Sequence, residues 1–141
     1  MKELIYKRRK YLLILIMGLL FSISCDKVDS QIPDVPVSFQ VNLDIFNELT
    51  IPGNSLYFPG PGFGGVIVYC EIEGSYYAFD AACTNEINQQ CKVVPEGVVG
   101  TCSCCQSKFV LIGGYPSDGP ASAPLKQYHT SLFGNILRVY N

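Results

Sequence analysis

The chain has 141 residues, of which ten are basic, twelve are acidic and 48% are hydrophobic, and this length suits one domain with an adequate core. Residues 1–24 contain five of the basic residues and one acid, so residues 25–141 carry five basic and eleven acidic side chains, a net charge of −6. Nucleic-acid binding is excluded as a function class, because contact with a phosphate backbone requires clustered Lys and Arg.

The first 24 residues predict a secretory signal peptide. Basic residues at 2–10 precede an apolar run at 11–21, and small residues follow before Cys25. This order of basic, apolar and small residues is typical of a cleaved signal, and the apolar run is shorter than the roughly 20 residues of a membrane span. An uncleaved anchor helix is the alternative. Either interpretation places the domain outside the cytoplasm, tethered to a membrane.

The segment Ser22-Ile23-Ser24-Cys25 resembles the lipobox of bacterial lipoproteins, in which the cysteine is acylated and becomes the new N-terminus. The resemblance implies a lipid anchor at Cys25, contact with the bilayer, and a location in the bacterial cell envelope. Residues 25–36 would then be the lipidated cysteine and an extended tether, because the segment is polar and contains two prolines and three aspartates. Residues 37–141 are predicted to form the folded domain.

The domain is predicted to be all-β. Residues 37–45 alternate strictly between apolar and polar side chains, which indicates a half-buried strand. Residues 52–65 are rich in Pro and Gly and are predicted to be a loop. No segment has a convincing amphipathic helix pattern, so the fold class is a small sandwich or open barrel. Two hairpins are predicted from β-branched and aromatic runs around short turns: 66–71 with 76–80, and 125–131 with 136–140.

Cysteines supply the candidate chemistry. An exported domain with an even number of cysteines is first a disulfide candidate, and six cysteines allow fifteen pairings among which sequence cannot choose. Residues 102–105 contain three thiols, more than structural disulfides alone require. The spacing of Cys102 and Cys105 lets two thiolates from one tight turn reach one metal. Six cysteines follow Cys25: Cys70, predicted to be a buried free thiol in a strand, and Cys83, Cys91, Cys102, Cys104 and Cys105.

Three segments together resemble the Rieske iron–sulfur family. Phe79-Asp80-Ala81-Ala82-Cys83-Thr84-Asn85 is similar to its Cys-Thr-His box. Cys102-Ser103-Cys104-Cys105-Gln106-Ser107-Lys108-Phe109 resembles the second box, Cys-Pro-Cys-His-Gly-Ser followed by an aromatic residue. Gly119-Pro120-Ala121, with Pro124-Leu125 behind it, is similar to the proline loop that covers the cluster. The resemblance spans residues 37–141 and implies a small β-sandwich with a two-loop cluster-binding subdomain, in which Ser107, Gly119 and Pro120 support the cluster loops.

The sequence departs from the family at the ligand positions. Rieske clusters use two Cys and two His, but Asn85 occupies the first His position and Cys105 the second. The single histidine, His129, lies in the final hairpin, so a two-His ligand set is impossible. Gln106 replaces a glycine, which leaves the conformation of that turn open because glycine often serves where positive φ is required.

Three hypotheses follow from the resemblance. In the first, Cys83, Cys102, Cys105 and Cys91 hold a [2Fe–2S] cluster, and the domain passes electrons to a redox protein partner. In the second, the same four thiolates form a closed zinc site. In the third, the metal has been lost, and a disulfide between Cys91 and Cys104, the pairing implied by the family, staples the loops of a binding or structural lipoprotein.

Catalysis by this chain alone is not expected. The sequence contains no Ser-His-Asp arrangement, no phosphate loop and no supported carboxylate pair. If the chain is a component of an enzyme, an oxidoreductase is the class that the resemblance implies.

Overall fold

The computed structural model describes residues 31–141. The predicted signal peptide at 1–24, the lipidation site Cys25 and the tether residues up to 30 lie outside these described residues. Within residues 31–141, no helix combines the length and apolar character that a membrane crossing requires.

Ten antiparallel strands form two sheets in the described residues. The strands are β1 (Ser38–Asn42), β2 (Ser55–Phe58), β3 (Val66–Ile72), β4 (Ser75–Asp80), β5 (Val93–Glu96), β6 (Val99–Cys102), β7 (Lys108–Val110), β8 (Tyr115–Asp118), β9 (Gln127–Phe133) and β10 (Ile136–Tyr140). The first sheet has the order β1-β10-β9-β4-β3-β2, and the second has the order β5-β6-β7-β8. One short 3₁₀ helix, Asn47–Thr50, precedes β2.

Strand β3 is buried on both faces, which explains why its sequence is a continuous apolar run. Because successive side chains point to opposite faces of a strand, Val66, Val68 and Cys70 enter one core, with side chains of β1 and β10. Ile67 and Tyr69 enter a second core, against the four-stranded sheet and the cysteine loops. The middle of the larger sheet therefore separates the two cores.

The predicted all-β class is confirmed, and both predicted hairpins are present as β3–β4 and β9–β10. The predicted strand at 37–45 is β1, which ends at Asn42 before a turn. The loop predicted over 52–65 is wrong at its centre. Residues Ser55–Phe58 form β2, because they pair with β3 and fill the edge of the larger sheet.

Asp80, the last residue of β4, fixes the start of the first cysteine loop. Its carboxylate is fully buried. It accepts hydrogen bonds from the backbone N–H groups of Phe63, Gly64 and Ala82 and from the Tyr128 hydroxyl, all at 2.7–2.9 Å. Four donors replace the water that the carboxylate loses, as a buried charge requires. The Pro/Gly-rich loop and β9 are thereby tied to the point where the chain leaves β4.

The described end of the predicted tether is attached to the domain. The Lys126 ammonium lies 2.7 Å from the Asp34 carboxylate. The Asn141 side-chain amide donates to the carbonyl of Val35 at 2.9 Å. These contacts hold residues 34–35 beside β9 and β10.

Candidate metal centre

Five of the cysteines lie at one end of the smaller sheet, four of them in two loops and Cys102 at the end of β6. The first loop, residues 81–92, connects β4 to β5, and the second, residues 103–107, connects β6 to β7. The Ser103 N–H donates to the Lys92 carbonyl at 2.8 Å and joins the two loops, whereas the hydrogen bond from the Cys83 N–H to the Cys91 carbonyl, at 2.9 Å, closes the first loop on itself. This is the two-loop subdomain that the sequence predicted.

A disulfide joins the two loops. Cys91 in the first loop is bonded to Cys104 in the second, with the two sulfurs 2.04 Å apart. The pairing implied by the family resemblance is therefore present. Both sulfurs are used in this bond, so neither offers a thiolate to a metal, and the loops are joined without any metal.

Three other sulfurs converge beside this disulfide. The Sγ atoms of Cys83, Cys102 and Cys105 all lie within 4.8 Å of one another, and those of Cys83 and Cys105 are 3.5 Å apart. Cys83 and Cys102 are fully buried, whereas Cys105 is half-buried. The group therefore meets solvent through Cys105.

The predicted set of four thiolates is not formed by the described cysteines. Cys91, the predicted fourth ligand, is in the disulfide with Cys104. Cys70 is a buried free thiol, as expected, but it lies in the first core, apart from the loops. His129 is exposed on β9, where its ring packs on Tyr140. A closed Cys₄ site for iron or zinc thus needs a ligand that these residues do not supply.

Ser107 connects the sulfurs to the proline loop. Its hydroxyl oxygen is fully buried, lies 3.1 Å from the Cys105 sulfur and accepts the Ala121 N–H at 3.0 Å. When the Cys105 sulfur is a thiolate it can only accept, so the Ser107 hydroxyl is then the donor in this contact. Gly119 permits this approach: a Cβ there would lie 2.6 Å from the Ser107 Cα. Pro120 is exposed between Gly119 and Ala121.

Burial raises the pKa of Cys83 to about 12. A side-chain hydrogen bond with Cys102 acts in the same direction, and backbone N–H groups of Glu86 and Asn85 act weakly against it. The Cys83 sulfur therefore keeps its proton at neutral pH when no metal is bound. Binding of a metal by Cys83 must release that proton, so metal affinity should rise with pH.

Cys105 has the opposite character. Partial burial opposes its ionisation, but hydrogen bonds from the side chain and backbone of Ser107 outweigh burial and lower the pKa of Cys105 to about 7. The Cys83 thiol also donates toward this sulfur. A half-exposed thiolate stabilised in this way has the chemistry to bind a metal or to act as a nucleophile.

The turn that follows Cys105 keeps a conformation suited to glycine. Gln106 has φ of 59°, and it is the non-glycine residue with positive φ in the described part of the chain. Its N–H donates to the Cys102 carbonyl at 3.1 Å, which closes the second loop around the two thiols. The conformation of the turn, left open by the sequence, is therefore one with positive φ at a non-glycine residue.

Three supporting contacts were missed by the sequence analysis. Asp80 lies three residues before Cys83, but nothing in the sequence predicted that its buried carboxylate accepts four hydrogen bonds. The Thr84 hydroxyl donates to the Ala123 carbonyl at 2.7 Å and ties the first loop to the proline loop. Lys92 donates to the Tyr57 hydroxyl at 2.9 Å, which joins the first loop to β2. Of these three contacts, the sequence pointed only to the one made by Thr84, because this threonine belongs to the segment that resembles the Cys-Thr-His box.

Solved structures similar to this chain are ferredoxins and a ferredoxin complex. A chain of the complex of reduced oxygenase and oxidized ferredoxin in carbazole 1,9a-dioxygenase has a TM-score of 0.52 and 19% identity, covering 77% of this chain and 94% of that chain. The ferredoxin of carbazole 1,9a-dioxygenase from Nocardioides aromaticivorans IC177 has a TM-score of 0.49 and 22% identity, covering 75% and 97%. The Sphingomonas yanoikuyae B1 ferredoxin has a TM-score of 0.47 and 16% identity, covering 64% and 88%.

No protein-family model and no curated protein sequence matches the chain. The likeness to the carbazole dioxygenase complex, at a TM-score of 0.52, concerns the fold. The domain therefore has the all-β fold of a Rieske-type ferredoxin, with a two-loop subdomain that carries its cysteines.

Proposed function

We propose that this protein is a lipid-anchored electron-transfer protein of the bacterial cell envelope, and that Cys83, Cys102 and Cys105 hold a [2Fe–2S] cluster. The observation that carries the proposal is the convergence of these three sulfurs, from two loops, within 4.8 Å. A bound cluster would supply one-electron redox chemistry.

The donor chemistry of the site fits such a group. Thiolates are the usual protein ligands of iron–sulfur clusters. Backbone N–H groups after Cys83 and the Ser107 hydroxyl beside Cys105 donate to the sulfurs, and hydrogen bonds to sulfur tune the potential of a bound cluster. The two buried sulfurs would face away from water, while Cys105 marks the exposed edge.

The number of ligands is the point at which this site differs from a Rieske centre. Three thiolates leave one protein position to be filled, since Cys91 is in the disulfide with Cys104. We assign that position to a ligand from solvent, because the half-buried Cys105 lies at the open side of the group. The Cys105 thiolate in place of one neutral imidazole makes the centre more anionic, so its potential should be lower than that of a two-His centre.

The chain's own residues would deliver the electron at the exposed edge. Cys105 is the one member of the three that meets solvent. The similar structure is a complex between an oxygenase and a ferredoxin, and by analogy we propose a redox protein as the partner of this chain. Anchoring through Cys25 would restrict that encounter to the membrane surface.

A metal-free domain is the second candidate, and the disulfide favours it. Cys91 and Cys104 join the loops without any metal, and the fully buried Cys83 has a pKa of about 12 that favours a protonated thiol. In this case the protein would be a binding or structural lipoprotein. A mononuclear zinc site with three thiolates and one open position is chemically allowed as well, because tetrahedral ligands 2.3 Å from zinc lie about 3.8 Å apart.

Metal analysis of the full chain separates these candidates. The protein should be expressed anaerobically, extracted from membranes in detergent, and analysed for iron, acid-labile sulfide, zinc and visible absorption. The proposal expects about two irons and two sulfides per chain, with colour that is partly bleached on reduction and lost on acidification. One zinc without sulfide would establish the mononuclear site, and absence of all metals would establish the structural alternative.

Two cysteine variants test the ligand assignment. Cys102→Ser removes a buried sulfur of the group and should abolish the colour. Cys70→Ala is the matched control, because this buried thiol lies in the first core and should leave iron content unchanged. Full iron retention by Cys102→Ser would contradict the assignment, and equal iron loss by both variants would show that the colour depends on stability alone.

A further inference from the structure

We propose that Cys83 and Cys105 form a second, reversible disulfide when no metal is bound, so that the redox state of this pair controls whether the centre can be loaded. The control of loading rests on the proposed function, whereas the disulfide itself does not. The pair is separate from the Cys91–Cys104 bond, which remains closed throughout.

Geometry selects this pair. The Cys83 and Cys105 sulfurs face each other from different loops at 3.5 Å, and a disulfide needs them at about 2.05 Å. The loops are already positioned by Cys91–Cys104 and by the hydrogen bond from Ser103 to Lys92. The remaining approach of roughly 1.5 Å is within the reach of side-chain rotations and requires no unfolding.

The difference in exposure assigns a role to each thiol. Cys105 is half-buried, whereas Cys83 is fully buried. A disulfide in solution can therefore reach Cys105 and cannot reach Cys83. The Ser107 hydroxyl, 3.1 Å from the Cys105 sulfur, stabilises negative charge on that sulfur, both when it attacks and when it later leaves.

The exchange uses an external low-molecular-weight disulfide as oxidant. The Cys105 thiolate attacks one sulfur of that disulfide, forming a mixed disulfide and releasing one thiolate. The released thiolate takes up a proton from water. The Cys83 sulfur then attacks Cys105 and forms the internal bond, and the proton of Cys83 passes to the second thiolate as that thiolate leaves Cys105. Two protein thiols are oxidised and one external disulfide is reduced to two thiols.

Loss of two of the three converging sulfurs would leave Cys102 alone, and a single thiolate cannot hold the proposed centre. The location predicted from the N-terminal segment supplies the oxidant, because disulfides form and persist outside the cytoplasm. Oxidation would therefore close the site, and reduction would open it for loading.

The test maps disulfides in the full chain in detergent. Metal is removed with a chelator, and the protein is reduced and then equilibrated with graded ratios of oxidised and reduced glutathione. Free thiols are alkylated in acid, and crosslinked peptides are identified by mass. The expected result is two crosslinks, Cys91–Cys104 and Cys83–Cys105, with Cys70 and Cys102 alkylated. The proposal would be overturned if Cys83 and Cys105 were both alkylated in protein that has re-formed Cys91–Cys104. A Cys83–Cys102 crosslink would overturn it as well.

Variants identify the attacking and resolving thiols. Cys83→Ser should stop the reaction at a glutathione adduct on Cys105, since no second thiol is in position to displace it. Cys70→Ala is the matched control and should form the crosslink like the parent. An adduct on Cys102 instead of Cys105 in the Cys83→Ser protein would contradict the assigned roles.

Prior loading separates this inference from the proposed function. Reduced protein is saturated with Co²⁺, or with iron and sulfide, before glutathione is added. At a free metal concentration 100 times the Kd, formation of Cys83–Cys105 should slow roughly 100-fold, because only the metal-free fraction reacts. Crosslinking at an unchanged rate, with no metal bound, would contradict the proposed function and the control of loading, while the disulfide itself would stand.

Discussion

Gln106 holds a left-handed backbone conformation in the turn after Cys105, where glycine would be unstrained. A residue with a Cβ at φ of 59° costs roughly 1–2 kcal/mol that glycine does not. Its amide recovers little of this, since its hydrogen bond to the Ser103 carbonyl is 3.4 Å long and exposed. The second cysteine loop is therefore held in its shape by its surroundings.

Gln106→Gly should raise the free energy of unfolding by about 0.5–1 kcal/mol, because relief of the left-handed strain exceeds the entropy that glycine gains in the unfolded chain. Urea denaturation measures the change. Gln106→Ala keeps the strain and serves as the matched control, with no gain expected. A glycine variant no more stable than the alanine variant would show that the turn is unstrained.

Tyr128 gives the fold a dependence on alkaline pH. Burial, reinforced by the hydrogen bond to the Asp80 carboxylate at 2.7 Å, raises the pKa of Tyr128 well above its ordinary value of about 10. A raised pKa contributes stability that is fully present below pH 10 and is lost above it, because the unfolded chain releases the proton and the folded chain does not.

Between pH 10 and 11, the free energy of unfolding should fall more steeply for the parent than for Tyr128→Phe, by up to about 1.4 kcal/mol per pH unit. At neutral pH the phenylalanine variant should itself be about 1–3 kcal/mol less stable, since the buried Asp80 loses one donor. Tyr115→Phe, at an exposed position on β8, is the control and should keep the parent's slope. Equal slopes in all three proteins would refute the assignment.

At the scale of elements, the sequence predicted strands where burial leaves a clear pattern and missed them where it does not. The β3–β4 and β9–β10 hairpins have β-branched and aromatic residues on both sides of a short turn. Strand β2 lies between Pro- and Gly-rich stretches, and its four residues become a strand only through pairing with β3. Strands β5 and β6 contain Pro95 and Gly100, which are opposed to each other in the ladder. Tertiary pairing, absent from any local pattern, decides these cases.

The candidate site was likewise predicted where the sequence has a local pattern and missed where it depends on the packing of distant segments. The spacing of the cysteines identified the two loops that carry them, and the family resemblance implied the Cys91–Cys104 pair. The convergence of exactly three thiols depends on how the loops pack, because Cys91 could serve as ligand or as disulfide partner on sequence grounds alone. The Asp80 network and the contact of Lys92 with Tyr57 join segments distant in sequence, so no motif could have revealed them.

Removal of the loop staple should destabilise the domain without unfolding it. The disulfide spans 13 residues, and a loop of about 15 residues corresponds to roughly 3 kcal/mol of stabilisation in the chain-entropy account. The double variant Cys91→Ala/Cys104→Ala should lose about that amount in urea denaturation. Both cysteines are replaced together, because a single replacement would free a thiol beside the other three. Cys70→Ala, a cysteine outside the loops, controls for the loss of a buried thiol, and a double variant that matches it would show that the staple contributes nothing.

At the scale of the whole molecule, the incoming chain and the cysteine loops meet at the same end of the larger sheet. The carbonyl of Lys126 accepts from the Asp80 N–H at 2.8 Å, and the ammonium of Lys126 binds Asp34. The segment that would lead to the lipid therefore joins the domain beside the residue from which the first cysteine loop departs. If Cys25 is lipidated, the candidate centre would be held near the membrane surface, within reach of a membrane-bound redox partner.

Asn141 is the residue whose loss should release this attachment. Its side chain accepts the Val37 N–H at 2.8 Å and donates to the Val35 carbonyl at 2.9 Å. Asn141→Ala removes both bonds and a third, 3.2 Å long, to the Asp34 carboxylate. A loss of about 1 kcal/mol of local stability should speed hydrogen exchange at the Val37 amide about fivefold, while amides of β3 exchange as in the parent. Asn135→Ala is the matched control, because it removes only a contact to Asp44 and should leave the Val37 amide unchanged. Unaltered exchange at Val37 in the Asn141→Ala protein would mean that the incoming segment is held by Lys126 alone, and Lys126→Ala would then be expected to release it.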